Sequence, residues 1–491
     1  MSLLIKGVQV VNGKGEEPYK ADVLVQRNVI SAIGNLKGKD TDKVIDGLGH
    51  YLAPGFIDVH NSADHYLGLF SNPAQENFIK QGITTIIGGH CGASLAPLLY
   101  GDLDSVRKWA DPHDINIDWH TLKELRKTLE RISVGVNFGT LVGHSTIRRA
   151  LAGDRTRLLQ RELDVFKGVL ERSMNDGAFG ISSGLGYVHG KSASKNEIRE
   201  LIDIVRKFDG VYSVHLRNET KKIVESVKEI VDVVKGLQVR TVISHFRPIK
   251  GFEKEFNEAS KIISETEDIY FDVYPYGISV RPLYTLLPEW AQVENIEAML
   301  ERVRSKKTNE FIEKDLSSLR GDDIVIGGAP HHEYLVGKTI GDIAQNLSMS
   351  TAKAALHIMD ITNLRAVLFY KDVDETFLMD VLLNEKALIA SHGKGVMKGE
   401  YMVHDRSVDS FPKYLKLVVG GGKLSLEEAV RRVTSRPAGF FGIRDRGVVK
   451  EGGVADLVLL DKSDYSVKSA VVGGKVFGEE PTKGEMLYHK R

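Results

Sequence analysis

Apolar and polar positions alternate through the first fifty residues, in "LLIKGVQVV", "ADVLVQRN", "VISAIGN" and "KVIDGLGHYL", which predicts short, half-buried strands separated by turns. After Pro54 and Gly55 the pattern changes. Strand-like apolar runs now alternate with segments of helical period, the signature of a parallel β/α fold. The helical stripe is clearest from Glu162 to Asn175, where Leu163, Phe166, Leu170 and Met174 share one face ahead of Gly177. A second stripe runs from Ile223 to Lys235 through Ile223, Val227, Ile230, Val231 and Val234.

Eight runs read as barrel strands: "GFIDVH", "ITTIIGGHC", "NFGTLVGH", "AFGISSG", "VYSVHL", "RTVISH", "IYFDVYP" and "ALIASHG". Eight strands with intervening helices predict a TIM-like (β/α)8 barrel. The link between the seventh and eighth is too long for one helix, so an inserted lobe is expected at about 282–345. Ser425 and Glu428 predict a capping box at the head of "SLEEAVRRVTS". The tail "VADLVLLDKSDYSVKSAVVGGKVF" returns to short strands. Pairing the two strand-rich ends leaves fewer open edges. The expected organisation is therefore α/β: 1–53 as the first part of a small β-domain, 54–430 as the barrel with its lobe, and 431–491 as the end of the last helix and the rest of the β-domain.

Composition narrows the partners. Sixty-six basic and 66 acidic residues cancel, and no block of like charge draws the chain to nucleic acid or an anionic membrane. A small-molecule substrate is expected, with nothing bearing on oligomeric state. The single cysteine cannot form an internal disulfide, and the alternating start "MSLLIKGVQVVNG" lacks a signal-peptide apolar core, so a cytoplasmic protein is expected. No apolar run reaches the ~20 residues of a membrane helix.

In such a barrel the chemistry sits where the strands end. Six histidines fall at these ends, His60, His90, His144, His215, His245 and His392, with the lone Cys91 among them. Cys91, His215 and His245 offer one thiolate and two imidazoles, a set that suits zinc and leaves a position for water. Bound zinc lowers the pKa of its water toward ~7 and polarises a carbonyl under attack. A buried apolar role for the cysteine is the competing reading.

The stretches "LAPGFIDVHNSAD", "QGITTIIGGHCGASLAPL", "LVGHSTIR", "GAFGISSGLGY", "VHLRNE", "ISHFR", "FDVYPY" and "LSLEEAVRRVTSRPAGFFGIRDRGVVKEGGVADLVLLD" occur in this order. Together they resemble the D-aminoacylase (N-acyl-D-amino-acid deacylase) branch of the metal-dependent amidohydrolases, across nearly the whole chain. The resemblance implies a zinc site on Cys91, His215 and His245. It also implies a hydrolase that cleaves the amide of N-acyl amino acids, with D configuration expected, through metal-bound hydroxide. Two departures stand out. The family's paired histidines, "HSHSD" or "HTHDD", are here "HNSAD", so His60 remains as a metal ligand beside Ser62, and one tight zinc is expected without a complete second site. The family's "GSDG", whose aspartate takes the proton from water, is here "ASHG", which puts His392 in the place of the catalytic base.

The resemblance also implies that Arg406, in "HDR", receives the substrate carboxylate, and that Arg247 replaces a lysine near the same anion. Tyr187, Tyr276 and Ser279 are candidate pocket residues, and "GLGY" puts Gly186 where the family has glutamate. The roles of His90, His144 and Asp64 stay open. Two alternatives follow from the exchanged base: hydrolysis of another C–N bond, such as a cyclic amide as in dihydroorotase- or hydantoinase-like relatives, or a catalytically silent metal-binding relative.

Overall fold

The computed structural model describes residues 2–489 except 101–102, 111–114, 154, 294 and 396–401. Both ends of the chain build one eight-stranded sheet. Its N-terminal strands are Ser2–Val10, Tyr19–Gln26, Val29–Gly34, Lys43–Asp46 and His50–Pro54, joined by Leu457–Asp461, Val467–Val472 and Lys475–Val476. The joint is antiparallel, with Leu52 opposite Leu459 and Ala53 opposite Val458. Leu3, Ile5, Val8, Val23, Leu457 and Val471 form the apolar face that this pairing buries, so neither end has a core without the other.

The barrel strands, numbered here along the chain, are β1 (Phe56–Asp58), β2 (Ile83–Gly88), β3 (Asn137–Thr140 with Val142–Gly143), β4 (Gly180–Gly184), β5 (Val211–His215), β6 (Arg240–Ile243), β7 (Ile269–Val273) and β8 (Ala387–Ile389). Neighbours pair in parallel from β1 to β3 and from β3 through β8. Beyond the ladders, His392 N donates to His60 O at 2.9 Å and Ser62 N to Gly393 O at 2.8 Å. These two bonds bring the end of β8 against the end of β1 and close the ring. Helix Gln160–Asn175 buries Leu163, Phe166, Leu170 and Met174 as its stripe requires, and Ile223–Val234 buries Ile223, Val227, Ile230 and Val234.

The lobe is larger than the sequence suggests. Its antiparallel sheet consists of Ser279–Pro282, Val367–Tyr370 and Ile324–Gly328, with Val367–Tyr370 in the middle. The lobe therefore runs to Tyr370 instead of ending near 345, because its central strand is supplied last. Two parts of the segment after 431 lie outside the β-domain sheet. Helix Ser435–Phe441 places Ala438, Phe440 and Phe441 against Ile57, Ile87, Phe179 and Val211. The last residues follow the barrel floor, where Leu487 N donates to Phe138 O at 2.8 Å and Glu485 N to Asn137 Oδ1 at 2.8 Å. Helix Ser435–Phe441 and the residues after 483 bury the lower barrel core, while the strands between Leu457 and Val476 complete the sheet.

Ser425 caps helix Leu426–Val433 by accepting from Glu428 N. The reciprocal half of the predicted box is replaced, since Glu428 pairs instead with Arg431 and Arg432. Among the described residues no helix is long and apolar enough to cross a membrane.

Candidate metal centre and active site

The ends of β1, β2, β5, β6, β7 and β8 meet at a cavity of about 520 Å³ lined by His60, Cys91, His215, His245, His392 and Arg406, among others. Cys91 Sγ, His215 Nδ1 and His245 Nε2 converge there. The three residues form a cluster whose ligand atoms lie within 4.8 Å of one another. Cys91 Sγ is 3.7 Å from His245 Nε2, and His215 Nδ1 is 2.7 Å from the same nitrogen. His245 Nδ1 lies 2.6 Å from Glu219 Oε1, and because a carboxylate only accepts, the proton belongs on Nδ1. His245 Nε2 is then a lone pair aimed at the sulfur. Burial, then the charge of Asp272, pushes the Cys91 thiol up, so a cation is needed to hold it as a thiolate. One sulfur and two imidazole nitrogens are the donor chemistry zinc accepts, and this site fits it.

His60 stands at the edge of the trio. Its Nδ1 is 2.9 Å from Asp272 Oδ2 and its Nε2 is 3.9 Å from Cys91 Sγ. The carboxylate of Asp272 fixes Nδ1–H and leaves the second lone pair facing the thiol. Asp272 was not singled out by the sequence, yet it connects four strands. It accepts from His60, from His392 Nε2 at 2.6 Å and from His245 N at 2.6 Å. Burial would raise its pKa, but the charge and hydrogen bond of His60, with the charges of His245 and His90, hold it below the ordinary carboxylate range. His60, Asp272 and His392 form a second close cluster.

His392 lines the cavity, and its pKa is driven well below that of a free histidine by burial and then by the charges of His245 and Arg406. It is a neutral imidazole whose Nε2–H is committed to Asp272. Burial in the same way lowers His215 to about 3 and His90 to about 3. His90 lies beneath the site, stacked on His60 at 3.8 Å with Nδ1 on Ser213 Oγ at 3.0 Å. His144 faces away. It opens helix His144–Ala152, so its Nε2 points outward to Glu197 Oε1 at 2.8 Å, on a carboxylate shared with Arg148. Asp64 holds the turn ahead of Cys91 by accepting from Gly89 N at 2.6 Å.

These turns are tight. Cys91, His245 and His392 adopt φ of 52°, 40° and 49°, a left-handed conformation that costs a non-glycine residue about 1–3 kcal/mol. Each turns its side chain from the strand axis into the mouth. At Gly186 the constraint is steric, because a Cβ there would come within 2.6 Å of His215 Nε2.

The predicted substrate residues divide into two groups. Arg406, Arg247 and Tyr187 line the cavity, whereas Tyr276 and Ser279 lie outside its lining. Tyr276 packs edge-on against His404 at 5.6 Å with Lys413 Nζ 3.8 Å from its ring centroid. The cavity tyrosine of that strand end is Tyr274. Ser279 Oγ sits behind the wall, accepting from Arg247 Nε at 3.1 Å and donating to Asp372. Arg247 also lies 3.7 Å from Glu219 Oε2. Arg406 differs: it is 7% exposed, its guanidinium rests 5.3 Å from the Tyr274 ring centroid, and its side chain has no ion pair or hydrogen bond among the described residues.

A barrel with a cysteine–histidine donor set at its mouth and a β-domain sewn from both termini is the arrangement to compare with known proteins. The Amidohydrolase family matches residues 403–476. Over 465 residues the chain is 27% identical to the D-aminoacylase of Alcaligenes xylosoxydans xylosoxydans, covering 94% of this chain and 88% of that one. A solved structure of D-aminoacylase superposes with a TM-score of 0.82 at 26% identity, covering 99% of both chains. The N-acyl-D-glutamate deacylase of Bordetella bronchiseptica, complexed with zinc and a phosphonate inhibitor, has the same fold, with a TM-score of 0.82 at 24% identity and 99% coverage of both chains. The chain is thus similar to D-aminoacylases in sequence and in fold over nearly its whole length.

Proposed function

We propose that the protein is a zinc-dependent hydrolase that cleaves the amide bond of N-acyl amino acids, with D configuration expected, and that Cys91, His215 and His245 hold the ion with His60 as a further donor. The observation that carries this reading is the convergence of the first three residues within 4.8 Å in a cavity that also contains a buried guanidinium without an ion pair among the described residues. When bound, zinc supplies Lewis-acid activation of water and of the amide carbonyl.

His392 is the proton carrier in this proposal. With Nε2–H fixed on Asp272, Nδ1 is the acceptor, and the buried ring is neutral, the form a general base requires. It takes a proton from the attacking water and returns it to the departing amine. Asp272 sets its tautomer and steadies the imidazolium that forms in between. Arg406 receives the substrate carboxylate through a bidentate pair, and Tyr274 supports its guanidinium from one face. Arg247 is held in place by Ser279 and Glu219. The need to neutralise Arg406 favours a linear N-acyl amino acid, which carries a free carboxylate, over a cyclic amide. A reducing, cytoplasmic setting suits the lone metal-directed thiol.

Metal analysis combined with a panel of N-acyl D- and L-amino acids tests the reading. About one equivalent of zinc with turnover is expected; zinc without turnover of any member would contradict it.

A further inference from the structure

The cavity combines two chemically different kinds of side chain. Its lining includes the cations Arg247 and Arg406 and the rings of His65, Trp109 and Tyr187. Trp109 meets Tyr187 edge to face at 6.0 Å, lies within 4° of parallel to His65 at 6.3 Å, and touches Tyr66 at 5.7 Å. This aromatic wall is rigid. Tyr187 lies on the His215 ring at 4.2 Å with Lys108 Nζ 5.0 Å from its centroid, and His65 is tied to Ala93 O at 3.1 Å. Cys91, Trp109 and Tyr187 share an apolar cluster with Leu283 and Tyr284 of the lobe.

Ring contacts lead without a break from Trp109 through Tyr187, His215, His245, His392 and Tyr274 to Arg406. The metal-binding histidines lie in the middle of that path. On the N-acyl amino acid reading, the carboxylate rests on Arg406 and the scissile carbonyl sits over the centre. Tyr187 and Trp109 lie beyond the histidines on that path from Arg406, where they can receive the acyl group. A volume of about 520 Å³ falls within the ~300–1,000 Å³ of pockets that enclose drug-sized ligands, and a two-carbon acyl group would leave the aromatic wall uncovered.

We propose that the preferred acyl group is large and apolar, aryl or branched alkyl, and that Trp109 is its specificity-determining contact. This rests on the amide-hydrolase reading, and the test separates the two. N-acetyl, N-butyryl and N-phenylacetyl derivatives of D-methionine and D-glutamate are compared with the zinc-loaded full chain, by turnover and by calorimetric binding. Trp109→Ala and Trp109→Phe are measured beside the natural chain, with circular dichroism as the check on folding. The phenylacetyl derivatives should exceed the acetyl ones at least tenfold in kcat/KM and in affinity. That ratio should collapse in Trp109→Ala and largely survive in Trp109→Phe, which keeps an aromatic face and guards against a misfolded alanine variant. A ratio at or below one in the natural chain, or one unchanged in Trp109→Ala, overturns the inference. If no derivative is turned over, the amide-hydrolase reading fails, and the binding ratio still decides the role of Trp109.

Discussion

His392 Nε2 lies 2.6 Å from Asp272 Oδ1, on the carboxylate whose other oxygen holds His60 Nδ1 at 2.9 Å. The imidazole that replaces the family's aspartate on β8 is therefore oriented by an aspartate from β7. Replacing His392 with alanine should lower kcat by about 10²- to 10⁴-fold, the usual contribution of general acid–base catalysis, while the zinc content stays near one equivalent. An unchanged rate would remove His392 from the reaction.

Restoring the family residue should not restore activity by itself. An aspartate at 392 would leave a gap toward Asp272 with two carboxylates facing it, an arrangement of like charges that favours a cation between them. His392→Asp is expected to raise the metal stoichiometry from about one to about two, by giving His60 and Asp272 an anionic third ligand. Metal analysis after dialysis checks this, and a stoichiometry still at one would count against it.

In the proposed zinc site Glu219 would act through His245, with its carboxylate 2.6 Å from Nδ1. Outer carboxylates of this kind typically change metal affinity 10- to 100-fold. Glu219→Gln should weaken zinc by about that factor in a chelator competition. Gly186→Ala should act from the other side, because its methyl would strike the His215 ring, and zinc retention should fall without loss of secondary structure.

Arg406 is buried without a counter-charge among the described residues, so its contributions to binding and to stability should have opposite signs. Arg406→Met is expected to lower kcat/KM by about 10²- to 10³-fold, mainly through KM, the loss expected when a charged hydrogen-bonding pair is broken. Because an unpaired buried charge is costly, the same variant should melt no lower than the natural chain. A clear drop in Tm would show that the guanidinium is a structural strut.

His404 provides a pH test. It caps the turn at Arg406 by accepting from Arg406 N at 3.0 Å, and burial, with the charges of Arg406 and Lys413, lowers it to about 3. The unfolded reference is ~6.5, so the folded pKa is depressed. The stability it contributes is complete above ~6.5 and is lost as pH falls toward about 3. The linkage is at most about 5 kcal/mol, at 1.36 kcal/mol per unit. Urea midpoints of His404→Asn, which keeps an acceptor, should fall less steeply across that window than those of the natural chain. Parallel slopes would contradict the assignment.

Cys91, His215 and His245 were legible in the sequence because each follows an apolar strand run, and strand ends are where a barrel collects its chemistry. His144 obeys the same pattern yet turns outward, because helix His144–Ala152 begins at that residue. The lobe boundary was misplaced because Val367–Tyr370 pairs with strands far away in sequence, a relationship without local periodicity. Asp272 and Glu219 were missed although a signal existed for the first. A carboxylate inside the apolar run "IYFDVY" cannot be buried as a charge without donors around it, and its three donors are site residues. Glu219 lies four residues beyond His215, and only the folded loop brings it to His245.

The central claim is that Cys91, His215 and His245 hold one zinc ion. Zinc K-edge absorption spectroscopy on protein loaded with one equivalent tests it most directly. One sulfur neighbour at ~2.3 Å with nitrogen or oxygen neighbours at ~2.0–2.2 Å is the predicted shell, and the sulfur should vanish in Cys91→Ala. A first shell without sulfur in the natural chain would contradict it.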